Sequence, residues 1–240
     1  SGDDATLSVP IGFPFTFYGA AYTNAVISTN GFISFDAGSG NGCCSGQLLP
    51  DVNTPSNLIA LAWNDLTAAA GQITYFNLTS PTRFVVNFNA VPHLGGAGTA
   101  ITAQIILYAD GAIEVHNTAG ASDGSNQTQG LENAGGTLAT VVPGRNATVW
   151  TATNDAYRFT PNAPTYLWDN AGLLNDPSLA NPVASNLLSS TNFTVTASIA
   201  GCSVNSNVNV VVDPPPAATA TVVPDCGNTQ FSIVVDITST

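Results

Sequence analysis

The sequence predicts an all-β protein that begins with a large β-sandwich, jelly-roll-like in its succession of short strands. Every second residue from Ile11 to Phe17 is large and apolar, so one face of this strand is expected to be buried. Turn-forming pairs, Tyr18-Gly19 and Asn30-Gly31, separate this run from the next ones. No stretch has helical periodicity, which argues against a βαβ fold.

Nine strands are predicted in the first part of the chain. They span residues 11–18, 24–29, 31–36, 57–63, 71–77, 82–90, 100–109, 111–117 and 147–159. Asp110-Gly111 marks a hairpin between two of them, because Asp-Gly readily adopts the backbone of a tight turn. We therefore predict a β-sandwich module over residues 1–160.

The residue pattern changes near residue 160, where the turn-forming residues Pro161, Asn162 and Pro164 indicate a domain boundary. Residues 161–213 have the strand spacing of the back half of an immunoglobulin-like sandwich. With about 50 residues the module is short, since such folds usually have ~100. A stiff spacer, Pro214–Pro216, then opens a third segment over residues 214–240.

This third segment reads as the first strands of a further module. Its alternating residues Phe231, Ile233, Val235 and Ile237 have no partner sheet that the sequence identifies. Either the chain is cut at this point, or the strand is donated to a neighbouring molecule and serves as an assembly strand. The lack of an initiating Met and of a leader also suggests a piece of something longer.

Composition excludes several classes of partner. The chain has three Arg, no Lys and fifteen acidic residues, for a formal net charge of −12. It therefore lacks the basic surface that binds nucleic acid or anionic lipid. No apolar window of about 18 residues predicts a membrane span. Only 8% of residues are charged, and a surface of hydroxyl and amide groups is typical of secreted bacterial β-proteins.

The four cysteines suit an oxidising compartment and allow three pairings. Cys43 and Cys44 are adjacent and match no zinc pattern. One interpretation is a vicinal disulfide, with Cys202 and Cys226 as the other candidate pair. The alternative is two long-range bridges or free thiols.

Motifs over residues 9–159 carry a family resemblance. The runs FPFTFYGAAYTNAVISTNGFISF, GCCSGQLLP, SNLIALAWNDL and ITAQIILYADGAIEVH resemble a β-sandwich module of large secreted Bacteroidota proteins. Residues 166–212 are similar to the PKD-like and immunoglobulin-like repeats that follow it. Those repeats usually read Tyr-x-Trp-Ser-Pro, whereas this chain has Asp169-Asn170 after Trp168.

The resemblance implies a multi-domain adhesin at the cell surface or released from it. Such proteins are exported by the type IX secretion route and are related to gliding-motility adhesins. The shared residues belong to core and turns, so they specify architecture and no ligand.

No catalytic signature is found, and the sequence predicts that the chain is not an enzyme. His93 and His116 have no ligand at metal-binding spacing and are expected to be surface or capping residues. Among the interior acids Asp65, Asp110, Glu114 and Glu132, the first is the most informative. Asp65 follows the apolar run LIALAWN, where an acid could cap a loop, bind calcium or contact a sugar.

No cofactor is required by the sequence, although calcium is a candidate because it takes carboxylate and carbonyl oxygens. The candidate ligands are Asp3, Asp4, Asp36, Asp65 and Asp123. The run ASDGSNQTQG, which contains the last of them, is expected to be a solvated loop.

The leading functional hypothesis is a non-catalytic structural or adhesive module of an extracellular chain or filament. Its partners would be neighbouring domains of the same chain, identical subunits or surface glycans. One alternative is a carbohydrate-binding module, with flat rings from Trp63, Trp150, Trp168, Tyr22 and Tyr75. A second is a subunit of a homopolymeric fibre joined by its last strand.

Overall fold

The computed structural model describes residues 2–38, 40–199, 202–213, 217–228 and 230–238. Regular structure in these residues is almost entirely β, which confirms the all-β prediction. The chain divides into two compact units, Ser1–Pro161 and Asn162–Thr240. The predicted spacer Pro214–Pro216 lies outside the described residues, and the finer division of the second unit into modules stays a prediction.

The strands of the first unit form an antiparallel sandwich. Their bounds are β1 Thr6–Phe17, β2 Ala20–Ser28, β3 Phe32–Ser34, β4 Leu58–Trp63, β5 Gln72–Thr79, β6 Thr82–Val91, β7 Thr99–Tyr108, β8 Ile113–Ala121, β9 Thr128–Glu132, β10 Ala139–Val141 and β11 Thr151–Phe159. One sheet has the order β1-β2-β3-β4-β9-β10, and the other has the order β11-β8-β7-β6-β5.

The core of this unit lies between the two sheets. The face predicted for β1 is buried as expected: Ile11, Phe15 and Phe17 lie in the core, and Phe13 packs against it. Side chains of the facing sheet complete the core, notably Phe84, Val86, Phe88, Ile105, Leu107 and Val115. Burial of these apolar faces is the main source of stability for the unit.

Two strands of this sandwich, β9 and β10, are not among the predicted ones. All five residues of β9 are buried, although its sequence, TQGLE, is mostly polar. The expectation of a solvated loop over ASDGSNQTQG is wrong at its end, since Gln127 and Gln129 are fully buried. Gln129 is satisfied there because its Nε2 donates to Leu61 O (2.8 Å).

The second unit contains two small sheets. Its strands are β12 Thr165–Trp168, β13 Thr191–Ile199, β14 Cys202–Val210, β15 Ala217–Asp225 and β16 Gln230–Thr238, with a 3-10 helix at Ala171–Leu173. The first three form one sheet in the order β12-β13-β14, and the last two form a hairpin. The last strand is not unpaired, because β16 pairs along its length with β15. Its apolar residues Phe231, Ile233, Val235 and Ile237 are nevertheless exposed, and the role of an assembly strand stays a prediction.

Candidate functional site

Several loops meet at one end of the first unit around the predicted Asn30-Gly31 turn. Ser28 pairs with Phe32, which leaves a three-residue loop with Gly31 at a positive φ of 78°. A Cβ at Gly31 would lie 2.5 Å from Ala62 O, so the backbones approach closely here. Asn30 links three segments: Nδ2 donates to Asp4 Oδ1 (2.8 Å) and to Asn41 O (3.2 Å), and Oδ1 accepts from Leu66 N (3.0 Å).

Three of the predicted calcium ligands lie together at this end. Carboxylate oxygens of Asp3, Asp4 and Asp65, which we call the acid cluster, lie within 4.8 Å of one another. They meet because the amino-terminal segment pairs with the segment that follows β4, through a bridge between Asp3 and Thr67. Because Asp65 is far from Asp3 and Asp4 in the sequence, no motif of fixed spacing predicts the cluster.

The electrostatics of the acid cluster centre on Asp65. Burial raises the pKa of Asp65, and the neighbouring carboxylates of Asp3 and Asp4 raise it further. Asp65 Oδ1 is buried and has no hydrogen-bond partner in the described part of the chain. Carboxylate oxygens gathered in this way are ligands that a hard cation such as calcium prefers.

The other two predicted ligands serve local turns. Asp36 Oδ1 accepts from Gly38 N (2.9 Å) and is not part of the acid cluster. Asp123 Oδ1 accepts from Ser125 N (2.9 Å) and from Ser125 Oγ (2.6 Å). These hydrogen bonds lower the pKa of Asp123. Calcium binding stays a prediction, and the geometry restricts its candidate ligands to Asp3, Asp4 and Asp65.

His93 is buried beside the acid cluster, so the expectation of a surface position is wrong for this histidine. Its Nδ1 lies 3.2 Å from Asn64 Oδ1 and its Nε2 lies 2.9 Å from Ala121 O. Both ring nitrogens are thus engaged by protein oxygens, which ties the loop after β6 to β4 and β8. His116, by contrast, lies on the outer surface and contacts Glu114.

The structure joins Cys43 to Cys44 in a vicinal disulfide, whose sulfurs lie within 4.8 Å of an Asp4 carboxylate oxygen. The adjoining loop is anchored to the core, because Trp63 Nε1 donates to Gly42 O (2.7 Å). Cys202 and Cys226 are both free and exposed. The second candidate pair is therefore not formed in the structure.

A buried ionic network, which the sequence did not reveal, joins the two sheets of the first unit. Arg145 forms an ion pair with Asp155 and donates from Nη1 to Gln129 Oε1 (2.7 Å). Its guanidinium lies 4.4 Å from the Trp150 ring centroid and 5.1 Å from that of Tyr157. Hydrogen bonds from Arg145 lower the pKa of Asp155. The network explains how polar β9 can be buried.

Glu132 is the most strongly perturbed acid in the described chain. Its side chain is fully buried, Oε1 accepts from Asp51 N (2.9 Å), and Oε2 has no hydrogen-bond partner among the described residues. Burial raises the pKa of Glu132 to about 7. The nearby Asp51 carboxylate raises the pKa of Glu132 further, whereas the hydrogen bond from Asp51 N opposes the shift.

The aromatic rings proposed for sugar binding are mostly internal. Trp63 and Trp150 are buried in the first unit. Tyr22 and Trp168 are half-buried, and Tyr75 is exposed. The structure therefore lacks a platform of two exposed tryptophans among these five rings, and the carbohydrate-binding alternative loses its main support.

A family model described as NIDO related matches residues 1–169, which is more than half of the chain. A search of curated proteins and a search of solved structures each gave no match. The matched residues include the whole sandwich, the acid cluster, the vicinal disulfide and β12. The chain belongs to the NIDO-related family.

Proposed function

We propose that this chain is a non-catalytic structural and adhesive module of a large extracellular bacterial surface protein. The observation that carries the proposal is the apolar face of the β15–β16 hairpin. On this face Phe231, Ile233, Val235 and Ile237 stand opposite Pro224, Val222, Ala220 and Ala218, so all eight residues are apolar. The four side chains on β16 are 55–68% exposed.

An apolar face of this kind marks a protein–protein contact, because soluble monomers rarely expose contiguous apolar patches. A two-stranded hairpin is also marginally stable by itself and gains stability from packing against another layer. A module of a longer assembly supplies that layer through a neighbouring domain or subunit. The first unit, whose sheets cover each other, provides the rigid part of such a module.

Two further observations support an extracellular location. NIDO-related domains are typical of extracellular proteins, and the vicinal disulfide suits an oxidising compartment. In the described residues no helix combines the length and apolarity needed to cross a bilayer. The finer proposal, a Bacteroidota adhesin with PKD-like repeats exported by the type IX route, is supported by the motif resemblance alone.

The same hairpin face favours one second candidate, a subunit of a homopolymeric fibre. In that case the face or the free edges of β15 and β16 would contact an identical chain. Calcium, held by the acid cluster, would be a structural ion in either arrangement.

Immunogold electron microscopy of intact source cells and culture fluid, with antibody fragments against the first unit, tests the proposal. We expect label on the outer surface, along single large molecules or irregular strings, and loss of label after protease treatment of intact cells. Regular filaments with a repeat matching one 24.4 kDa chain would establish the fibre instead. Label seen only after permeabilisation would contradict both.

A further inference from the structure

The sandwich of the first unit has four edge strands: β1 and β10 in one sheet, β5 and β11 in the other. The outer side of an edge strand presents unpaired N–H and C=O groups, to which another strand can add. Proteins usually blunt such edges with proline, charge, bulges or short strands.

Three of the four edges carry such a device. Strand β1 contains Pro10 and Pro14, and its pairing with β2 shifts register between Pro10 and Phe15. Strand β10 has only three residues. Strand β11 carries the charged residues Asp155 and Arg158.

Strand β5 has none of these features. Its sequence, QITYFNLT, contains no proline and no charged residue. It pairs with β6 without a register shift, from Gln72 opposite Asn89 to Thr79 opposite Thr82. Three large apolar side chains on it are exposed by 40–48%: Tyr75, Phe76 and Leu78. The edge is long, regular and unprotected.

A groove of about 480 Å³ lies between the first half of β5 and the start of β1. Leu7, Ile27, Ile73 and Tyr75 provide its apolar lining, and Thr29 and Gln72 add polar atoms. The two strands come together farther along, where a Cβ at Gly12 would lie 3.1 Å from the Asn77 side chain. The open part of the groove therefore lies beside the unprotected edge.

Acidic residues lie next to one end of the groove, although none of them lines it. Ala5 and Ala68 line that end, and the adjacent bridge between Asp3 and Thr67 places the acid cluster beside it. A cationic group is the complementary partner. A second copy of this chain is poorly suited, because its net charge of −12 opposes close approach to an acidic site and it has no Lys. Arg145 and Arg158 are held by Asp155 and Glu114, and Arg83 donates to the carbonyls of Ser80 and Pro81 in its own turn.

We propose that β5 binds an extended apolar segment of a partner protein, which adds as a strand to its free edge and places a Lys or Arg near Asp3 and Asp4. Main-chain hydrogen bonds to β5 would provide affinity, and alternate apolar side chains would fill the groove. The inference rests on the proposed function, since an adhesive module needs a binding surface. It can fail while the extracellular location stands.

Hydrogen exchange of the full chain with a synthetic peptide tests this inference. The probe has eight alternating valines and threonines followed by two lysines, because antiparallel addition places its carboxyl end beside the acid cluster. We expect amide exchange over residues 71–80 to slow by roughly tenfold at saturation, the mark of newly formed hydrogen bonds. Exchange over β11, the opposite edge of the same sheet, should not change.

Matched variants identify the surface. Phe76→Lys adds an edge-blunting charge and should weaken peptide binding by about tenfold or more. Leu138→Lys makes the same charge change at an apolar residue that is 58% exposed in the loop before β10, and should bind normally. Leu78→Lys replaces the first variant if that one does not fold. Asp3→Asn should weaken binding of the peptide that ends in two lysines. It should not change binding of the same peptide with glutamines in place of the lysines.

Several results would overturn the proposal. Equal loss of binding in Phe76→Lys and Leu138→Lys, or no slowing over residues 71–80, would exclude strand addition at β5. If amide exchange over residues 71–80 slows with rising protein concentration in the absence of peptide, the edge binds a second copy of the chain. Slowing caused by an oligosaccharide and not by the peptide would assign the groove to a glycan. None of these outcomes bears on where the immunogold label is found.

Discussion

Both units of this chain contain strands in which large apolar residues alternate with other residues. The resulting apolar faces are buried in the first unit and exposed in the β15–β16 hairpin of the second. In the first unit the alternating residues of facing sheets cover one another, and Phe15, Phe84 and Phe88 are completely buried. In the described part of the second unit, Phe193 is the only buried residue. Alternation therefore specifies an apolar face, whereas the element that covers the face is set by tertiary structure or by a partner.

The largest expected effect comes from the same substitution made in both units. Phe15→Ala should reduce the free energy of unfolding of the first unit by about 3–5 kcal/mol, because it opens a cavity in a sealed core. Phe231→Ala should change stability by less than about 0.5 kcal/mol, because that ring is exposed. Denaturant unfolding followed by tryptophan fluorescence and by circular dichroism measures both. A large loss in Phe231→Ala would mean that its face is already covered in solution.

The next effect concerns charge burial in the first unit. Arg145→Met should cost about 3–5 kcal/mol, because it leaves Asp155 and Gln129 without their buried partner. Arg158→Met is the control, since Arg158 pairs with Glu114 at the surface and should change the melting temperature little. Similar melting temperatures for the two variants would show that the buried network is not what holds the sheets together.

The pH dependence of stability gives a smaller effect with a definite sign. The pKa of Glu132 is about 7 in the folded chain, above its usual 4.5, so the folded state retains this proton more strongly than the unfolded state. Stability from this group is fully present below pH 4.5 and is lost as pH rises to 7, by up to about 3 kcal/mol. Glu132→Gln should therefore match the natural chain at pH 4.5 and exceed its stability at pH 8.

The pH dependence of stability expected from Glu114 has the opposite sign. Although burial opposes it, hydrogen bonds from Arg158, His116 and Tyr108 lower the pKa of Glu114. Its contribution is present above its unfolded pKa and is lost as pH falls through its folded pKa. Glu114→Gln should thus lose more stability at pH 7 than at pH 3. A gain at pH 8 in both variants would indicate a general effect of removing negative charge from this acidic chain.

The smallest expected effect is that of calcium on the acid cluster. Calcium at several times its dissociation constant should stabilise the first unit by about 1 kcal/mol, and chelation should reverse this. Asp65→Asn should abolish the shift in melting temperature. Asp36→Asn should retain it, because Asp36 lies outside the cluster. A shift that both variants keep would assign the ion to another place.

Sequence reasoning located elements wherever local chemistry decides the structure. The face of β1 and the Asn30-Gly31 turn were predictable because alternation and turn propensity act over a few residues. Strand β9 was not, because its polar side chains are buried only through partners distant in sequence, such as Arg145 and Leu61. The five candidate calcium ligands were chosen by residue type, and their grouping was not predictable. Asp3 and Asp65 come together only through the bridge between Asp3 and Thr67.

Hydrogen exchange of the full chain without any partner tests whether the two units differ in how their apolar faces are covered. We expect amides of β4 and β9, in the centre of the first sheet, to exchange only on global unfolding. Amides of β15 and β16 should exchange orders of magnitude faster, because the apolar side chains of their hairpin are exposed. Equal protection in β4 and β16 at low protein concentration would contradict the account, since it would show the second unit to be sealed by itself.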